Sequence, residues 1–190
     1  TASAGRTGRR QGDLLQQLEA VFPDGLTLEV TTKPLDATAM TRKALREGCD
    51  LVVAVGGDGT ISEVVNGFFE NNIAVNPRAQ LGFVCSGTAQ DVARNLGLPP
   101  SLKDQILLLS RPGSTLIDVG KVTYRDNSGN TQQRYFINDC QAGIAAKVAE
   151  RVTPSMKRMG GFLAFGLVST ATAATYRGRM MDIRIDKGPQ

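Results

Sequence analysis

A glycine-rich turn that directly follows an apolar run is the part of this sequence best suited to chemistry. The run LVVAV (51–55) leads into Gly56-Gly57-Asp58-Gly59-Thr60, after which apolar residues recur at helical spacing. Such a turn, between a buried strand and a helix, presents backbone N–H groups and the helix dipole to an anion. Glycine also permits positive φ angles and a close approach of phosphate oxygens to the backbone. The pattern therefore predicts a phosphate-binding turn.

Asp58 is a carboxylate inside this turn, where it would ordinarily repel a phosphate. It therefore needs a role of its own, such as holding Mg²⁺ or accepting a proton. The alternative is a tight turn in which Asp58 only caps the helix that follows. The lysine of a Walker P-loop is absent from the turn.

A second turn of the same kind follows the next predicted strand, 80–85. Here Ser86-Gly87-Thr88 leads into a predicted helix, 89–96, with Asp91 in its first turn. Taken alone, this motif indicates a capped helix more often than a site. Loops at the carboxyl ends of parallel strands share one edge of the sheet. We therefore expect the second turn to contribute to the same pocket as the first.

Asp118 is a third candidate, because it lies within the apolar run LIDVG. Burying an unpaired carboxylate is costly. Two interpretations remain open: Asp118 pairs with Lys121 or Arg134, or it belongs to a network around a bound cation.

The composition excludes several kinds of site. The chain has 190 residues and no histidine, which excludes Ser-His-Asp and Cys-His catalysis and metal sites that need imidazole. Cys49, Cys85 and Cys140 lack C-x-x-C spacing, which excludes zinc and iron–sulfur clusters and a dense disulfide framework. We interpret them as reduced, mostly buried thiols of a cytoplasmic protein. With no Trp and three Tyr, the chain offers no stacking platform for nucleic acid.

Positive charge is concentrated at the two ends of the chain. The formal net charge is +4, with three arginines in residues 1–12 and eight lysines and arginines against three acids in residues 147–190. This distribution suggests an anionic partner, either phosphates or a membrane surface. The alternative is a solvated charged face.

The stretch 156–176 combines apolar residues with flanking lysines and arginines. Such a helix could rest on a membrane or line a lipid pocket, and the alternative is that it packs on its own domain. Its longest apolar part, 162–176, is too short and too polar to span a bilayer.

The first half of the chain alternates predicted strands and helices. Helices are predicted at 13–22, 36–46 and 102–109, and strands at 26–31, 51–55 and 80–85, in addition to the helices that follow the two turns. Asp36 is the predicted N-cap of its helix, and Gly48 is its left-handed stop. This alternation predicts a parallel sheet flanked by helices.

From Thr115 onward the pattern changes, and we place a domain boundary near this residue. Strands are predicted at 116–123, 135–139 and 181–185, and helices at 144–151 and 155–175; the polar turn 126–130 joins the first two strands. Both ends look cut, because the loop 1–12 has no strand before it and the last strand has little sheet around it. We interpret the chain as a fragment of a longer protein.

Taken together, these motifs resemble the catalytic domain of the diacylglycerol kinase and sphingosine kinase family of lipid kinases. The resemblance covers essentially the whole chain: TASAG (1–5), TTKPLDA (31–37), GGDGT (56–60), SGTAQDVARNLGLP (86–99), IDVGKV (117–122) and RYFIND (134–139) follow in family order. The chain departs from the family's second signature, because Gln90 stands for the usual Asn and Val92 for the usual Phe.

The resemblance implies two domains. Residues 1–115 would form a nucleotide-binding domain of α/β class, with a doubly wound parallel sheet whose first strand is missing. Residues 116–190 would begin a C-terminal β-sandwich domain, truncated here. A late general base and several magnesium ligands would then lie beyond Gln190.

The same resemblance implies ATP and Mg²⁺ as cofactors and assigns the site residues. Asp58 and Asp91 are assigned to catalysis, and Asp118 to an acidic, water-linked magnesium network. Nucleotide contacts are assigned to one set of residues: Thr31, with Thr32 as its alternative, Gly56, Gly57, Asp58, Gly59, Thr60, Ile61, Ser62, Glu63, Gly87 and Thr88.

We therefore expect an ATP-dependent lipid kinase that acts at a membrane surface, peripherally and from the cytoplasm, on a lipid such as diacylglycerol or a sphingoid base. One alternative is an NAD kinase, whose family shares the Gly-Gly-Asp-Gly-Thr turn. Another is a non-catalytic module that binds nucleotide or membrane. No nucleic acid partner is expected, and an exposed terminal strand could pair two copies into a homodimer.

Overall fold

The computed structural model describes residues 7–23, 25–87, 90–126, 128–152 and 161–178. Its internal contacts divide the chain into two compact units, residues 1–140 and residues 141–190. The elements of the first unit are α1 (Thr7–Val21), α2 (Asp36–Arg46), β1 (Leu51–Gly56), α3 (Asp58–Gly67), β2 (Phe69–Glu70), β3 (Ile73–Ala74), β4 (Gln80–Cys85), α4 (Asp91–Asn95), α5 (Leu102–Leu109), β5 (Gly120–Arg125) and β6 (Thr131–Phe136). Those of the second are α6 (Ile144–Arg151) and α7 (Gly161–Thr175).

The centre of the first unit is the parallel pair β1 and β4, which are hydrogen-bonded from Leu51 opposite Gln80 to Gly56 opposite Cys85. The helix α3 follows β1, as the apolar spacing after the first turn predicts. Two antiparallel pairs, β2 with β3 and β5 with β6, complete the sheets of the described residues. The predicted α/β class with a parallel sheet is therefore confirmed.

The two faces of the parallel pair enter different cores. On one face, Ala54 and Cys85 pack with buried residues of α2, α3 and α4, such as Ile61. On the other face, Val84 packs with Leu18 of α1 and Ile106 of α5. Helices thus cover both faces, and successive residues of each strand face opposite cores, as the pleat requires.

Two predicted strand segments are not strands. Residues 26–31 are irregular, and Leu28 and Val30 are about half exposed, at 55% and 47%. Residues 116–119 are also irregular, and the side chain of Leu116 is fully exposed. Alternating polarity predicts which face a strand would bury, but a strand also needs a neighbour to accept its backbone hydrogen bonds. No described strand pairs with either segment.

The β5–β6 hairpin confirms the predicted polar turn but shifts the predicted strands. Asp126 Oδ1 accepts the N–H groups of Ser128 and Asn130, each at 2.9 Å, and Arg125 pairs with Thr131 across the turn. The turn therefore sets the register, so β6 covers Thr131–Phe136 rather than 135–139. A β-sandwich beyond this hairpin stays a prediction.

Asp36 is not the N-cap of α2. The cap position is Leu35, with φ of 70°, and Asp36 is the first helical residue. Its Oδ2 accepts the N–H and hydroxyl of Thr32 at 2.8 and 2.9 Å and the N–H of Lys33 at 3.0 Å. These bonds to the preceding turn lower the pKa of Asp36. The predicted stop at Gly48 is confirmed by its φ of +92°.

Asn66 joins the β5–β6 hairpin to α3. Its side chain is 7% exposed. Its Oδ1 accepts the N–H of Tyr135 at 3.0 Å, and its Nδ2 donates to the carbonyls of Tyr135 at 2.9 Å and Ser62 at 2.8 Å. Asn66 thus serves β6 as a neighbouring strand would. The hairpin accordingly lies within the first compact unit, which ends at Cys140. The domain boundary expected near residue 115 stays a prediction.

The second unit pairs α6 with α7, and Val148 and Thr172 are buried between them, at 5% and 1% exposure. The helix predicted at 144–151 is confirmed. The helix predicted at 155–175 is described from Gly161 onward, and the strand predicted at 181–185 lies outside the described residues. In the part of the chain that the structure describes, no helix has the length and hydropathy needed to cross a membrane.

Asn66→Ala is expected to lower the free energy of unfolding by about 2 kcal/mol, because the N–H and C=O of Tyr135 lose their partner. Urea denaturation would measure this loss. The matched control is Gln132→Ala, which removes one exposed hydrogen bond to Asp126 and should change stability by less than about 0.5 kcal/mol. Equal losses in the two variants would contradict the role given to Asn66.

Candidate functional site

The pairing of β1 with β4 brings the two predicted turns side by side. Gly56 and Cys85 are opposite each other at the carboxyl ends of the strands, and the N–H of Ser86 donates to the Gly56 carbonyl at 2.9 Å. The chain then continues as Gly57 on one side and Gly87 on the other. The expectation that both turns belong to one site is consistent with this arrangement.

The backbones of the two turns meet at their glycines. A Cβ atom placed on Gly87 would lie 2.6 Å from the Cα of Gly57, and one placed on Gly57 would lie 3.3 Å from the Cα of Gly87. A side chain at Gly87 would therefore collide with rigid backbone. None of Gly56, Gly57, Gly59 and Gly87 has a positive φ. Close approach, rather than an unusual backbone conformation, is thus the reason for glycine at Gly57 and Gly87.

The first turn presents backbone N–H donors that have no hydrogen-bond partner among the described residues. Gly57 is the N-cap of α3, and the first helical hydrogen bond runs from Ile61 N–H to the Gly57 carbonyl at 3.1 Å. The N–H groups of Asp58, Gly59 and Thr60 therefore have no partner within α3. Together with the helix dipole they can receive an anion. The alternative in which Asp58 caps its own helix is wrong, because Asp58 is already the first helical residue.

Asp58 instead caps the neighbouring helix. Its Oδ1 accepts the N–H of Val92 at 3.2 Å. Val92 is the second residue of α4, where backbone N–H groups lack helical partners. The helix begins at Asp91, not at residue 89, and it follows Gln90 in a left-handed conformation with φ of 53°. The Asp58 carboxylate of the first turn thus stabilises the start of α4.

Cys85 lies beside this carboxylate, at the end of β4. Its side chain is 1% exposed. Burial raises the pKa of the Cys85 thiol, and the negative charge of Asp58 raises it further. The thiol is therefore neutral at physiological pH and packs as a small apolar side chain. Cys140 is exposed, so the expectation of mostly buried thiols does not hold for that residue.

Gln105 binds the backbone at the end of β4, where the second turn begins. It is 1% exposed, its Oε1 accepts the N–H of Cys85 at 2.7 Å, and its Nε2 donates to the Pro99 carbonyl at 2.8 Å. Because Cys85 directly precedes Ser86, this bond fixes the strand end from which the second turn leaves. Gln105 is not among the predicted site residues, although a lone amide in the apolar helix LKDQILLL is a usable signal.

The remaining residues predicted to contact nucleotide differ in their exposure and hydrogen bonding. Ile61 packs in the core at 1% exposure, and its N–H is bonded to the Gly57 carbonyl. Contrary to the expectation of a nucleotide contact, neither its side chain nor its N–H is available to a ligand. Ser62 is exposed, and Glu63 is half-buried on α3. Thr31 is half-buried, whereas the hydroxyl of its alternative, Thr32, is bound to Asp36. Thr88 lies outside the described residues.

The three candidate acids are not gathered into one cluster. Asp91 forms an ion pair with Arg94. Asp118 is exposed, so the burial expected from its apolar neighbours is wrong, and the ammonium of Lys121 donates to Asn72 instead, at 3.1 Å. Within the described ranges, no three Asp, Glu, Cys or His side chains are arranged to hold a metal ion. The magnesium role of Asp118 stays a prediction.

Comparison with known proteins finds similarity to diacylglycerol kinases. The family model described as "Diacylglycerol kinase catalytic domain" matches residues 2–122. Diacylglycerol kinases of Staphylococcus aureus strains JH9 and Newman are each 34% identical over 136 residues, which is 71% of this chain and 39% of the relative. This chain therefore spans about two-fifths of the length of these curated relatives.

One solved structure is also similar. It is described as "A putative diacylglycerol kinase from Bacillus anthracis str. Sterne" and has 24% identity and a TM-score of 0.47, over 76% of this chain and 47% of that one. The assignment rests on the family model, whose match covers more than half of the chain and includes both glycine turns, α3 and α4. The chain belongs to the diacylglycerol kinase catalytic domain family.

Proposed function

We propose that the protein containing this chain is an ATP-dependent lipid kinase, which transfers a phosphoryl group to the hydroxyl of a lipid such as diacylglycerol or a sphingoid base. The observation that carries the proposal is the contact of Gly57 with Gly87 beside the N-terminus of α3. The two glycines leave a backbone surface without side chains at the carboxyl edge of the parallel sheet. The N–H donors at the start of α3 have no partner there among the described residues. Membership of the family supports the lipid as acceptor.

The backbone of the first turn would hold the phosphates of the nucleotide. The N–H groups of Asp58, Gly59 and Thr60 are available there, and Thr60 folds its side chain back against Gly56. Phosphoryl transfer depends mainly on positioning and on charge stabilisation. A preorganised set of backbone donors supplies both, because these donors need no rearrangement when charge develops.

The carboxylates would act beside the phosphates. Asp58 uses Oδ1 for the N–H of Val92, and its Oδ2 accepts no hydrogen bond from a described residue, so Oδ2 could accept a proton or hold Mg²⁺. Asp91 is the second such carboxylate, on the next helix. Bound Mg²⁺ would supply charge neutralisation, and such ions are commonly held by one or two carboxylates plus the substrate phosphates. The donor set of the two turns fits this requirement.

Thr31 and Glu63 are proposed as further nucleotide contacts and Asp118 as part of the magnesium network, as the family resemblance implies. We also propose that the protein works on the cytoplasmic membrane surface, where its lipid substrate resides. Basic residues near the ends of the chain would favour an anionic surface. Pairing of two copies through a terminal strand remains part of this proposal.

The proposal is tested by offering labelled Mg-ATP and one acceptor at a time to the full-length protein that carries this chain. The acceptors are diacylglycerol and sphingosine in mixed micelles, and NAD in solution. Label in one lipid would support the proposal and identify the acceptor. Label in NAD, or in no acceptor despite vesicle binding by folded protein, would overturn it in favour of an NAD kinase or a non-catalytic module.

Asp58→Asn is expected to lower phosphoryl transfer at least about 100-fold, as for a lost proton acceptor or metal ligand, with little change in stability. Asparagine keeps an Oδ1 that can accept the Val92 N–H. Asp58→Ala should lose the same activity and about 1 kcal/mol of stability, because α4 loses its cap. Radiometric assay and urea denaturation measure the two effects.

Asp104→Asn is the matched charge control for these variants, because Asp104 is exposed on α5. It should leave both activity and stability near those of the wild type. Wild-type turnover in Asp58→Asn would remove Asp58 from the chemistry, and unchanged stability in Asp58→Ala would remove its capping role.

Gly87→Ala is expected to weaken ATP binding at least about 10-fold and to cost about 1–3 kcal/mol of stability, because the new methyl group would force the two turns apart. Isothermal titration calorimetry and urea denaturation give both numbers. The control is Gly12→Ala, at an exposed position in α1 with no atom near the added methyl, which should stabilise the chain slightly. Unchanged ATP binding by folded Gly87→Ala would contradict the proposed cradle.

A further inference from the structure

The second unit contains a cleft that the proposed kinase chemistry does not use. It lies between α6 and α7, has a volume of about 570 Å³, and includes Gly143 and Tyr176 in its lining. This volume is in the range of sites for small ligands, about 300–1,000 Å³. The cleft shares no residue with the glycine turns, so it requires a separate explanation.

The lining of the cleft is positively charged. Three cations line it, Lys147, Arg151 and Arg177, against one acid, Glu150. Glu150 already accepts a hydrogen bond from the ammonium of Lys147 at 2.7 Å, and this bond, together with the charge of Arg151, keeps its pKa low. Glu150 therefore stays ionised and offsets one cation, which leaves an excess of positive charge for an anion to neutralise.

Arg151 is held in a fixed position in this cleft. Its Nη1 donates to the hydroxyls of Thr172 at 3.0 Å and Thr175 at 3.4 Å, and Thr172 is 1% exposed. No described residue accepts from its Nε or Nη2. A guanidinium fixed on one side, with N–H donors left over, matches the bidentate geometry of phosphate and carboxylate oxygens. Because the arginine is already ordered, an anion would lose little free energy to side-chain ordering.

We propose that this cleft binds a phosphate group, carried by an anionic lipid headgroup or by a soluble phosphomonoester. Arg151 provides the fixed donors, and Arg177 adds a second positive charge to the lining, whereas the charge of Lys147 is offset by Glu150. A dianionic phosphate suits an excess of more than one positive charge better than a neutral ligand does. The site is assigned from the second unit alone, so it stands or fails independently of the proposed kinase activity.

The soluble source is tested by NMR titration of the ¹⁵N-labelled chain with inorganic phosphate and with glycerol 3-phosphate. The amide signals of Gly143, Thr175 and Tyr176 should shift and saturate. Arg151→Gln should weaken binding at least about 10-fold, as for the loss of a charge-assisted hydrogen bond. Arg151→Lys keeps the charge without the planar guanidinium, so its affinity for phosphate should lie between those of the wild type and Arg151→Gln.

The lipid source is tested by sedimentation with phosphatidylcholine vesicles, with and without phosphatidic acid. Binding that requires phosphatidic acid and weakens in the cleft variants would identify a lipid headgroup as the ligand. Arg177→Gln accompanies Arg151→Gln in both arms, because the side chain of Arg177 has no described partner and its loss should leave the packing of α6 on α7 intact. It should weaken binding at least about 3-fold.

The matched control is Arg111→Gln, which removes one exposed positive charge from the first unit. It should bind phosphate and vesicles as the wild type does. Saturable binding in either arm that is reduced in the two cleft variants and kept in the control supports the proposal. Absence of binding in both arms, or equal binding by the cleft variants and the control, overturns it.

Discussion

The parallel register of β1 with β4 is the constraint on which the candidate site depends. With Gly56 opposite Cys85, two turns far apart in the sequence leave the sheet at the same level, and their glycines come into backbone contact. A slip of one residue would exchange the two faces of β4, so that Val84 would leave the core formed with α1 and α5. The register of the site is therefore protected by the same apolar packing that stabilises the sheet.

Three polar side chains extend this constraint to the segments around the sheet. Asn66 bonds the backbone of β6, Gln105 bonds the end of β4, and Asp58 bonds the start of α4. Each supplies a partner to a backbone group at the edge or end of an element, where regular pairing stops. Side chains fixed in this way are costly to replace with apolar ones, because the backbone groups they serve would remain unpaired.

The sequence predicted the bounds of α2, β4, α5 and α6 as the structure has them. The signals were apolar runs and spacing, the cap and stop residues given for α2, and the polar residues of the turn between β5 and β6. The failures share a physical cause, which is that a local pattern does not say whether a partner is present. Residues 26–31 and 116–119 alternate or run apolar, yet no described strand pairs with them, and Asp118 is exposed with its neighbours. The partner of Asp58 is the main-chain N–H of Val92. Every residue except proline has such a group, so the residue type at position 92 could not predict this bond.

The capping of α4 by a side chain from another turn has a thermodynamic consequence. A helix of five residues is too short to be stable by itself, so its order depends on its core packing and on the bond from Val92 to Oδ1 of Asp58. A cation held at Oδ2 would draw charge from the same carboxylate and weaken that bond. Occupancy of Asp58 and order in α4 are then linked equilibria, and each must shift the other by the same free energy. Amide hydrogen exchange in α4 would consequently report what Asp58 is bound to. The acidic turn would serve as ligand and as regulator of local unfolding at once.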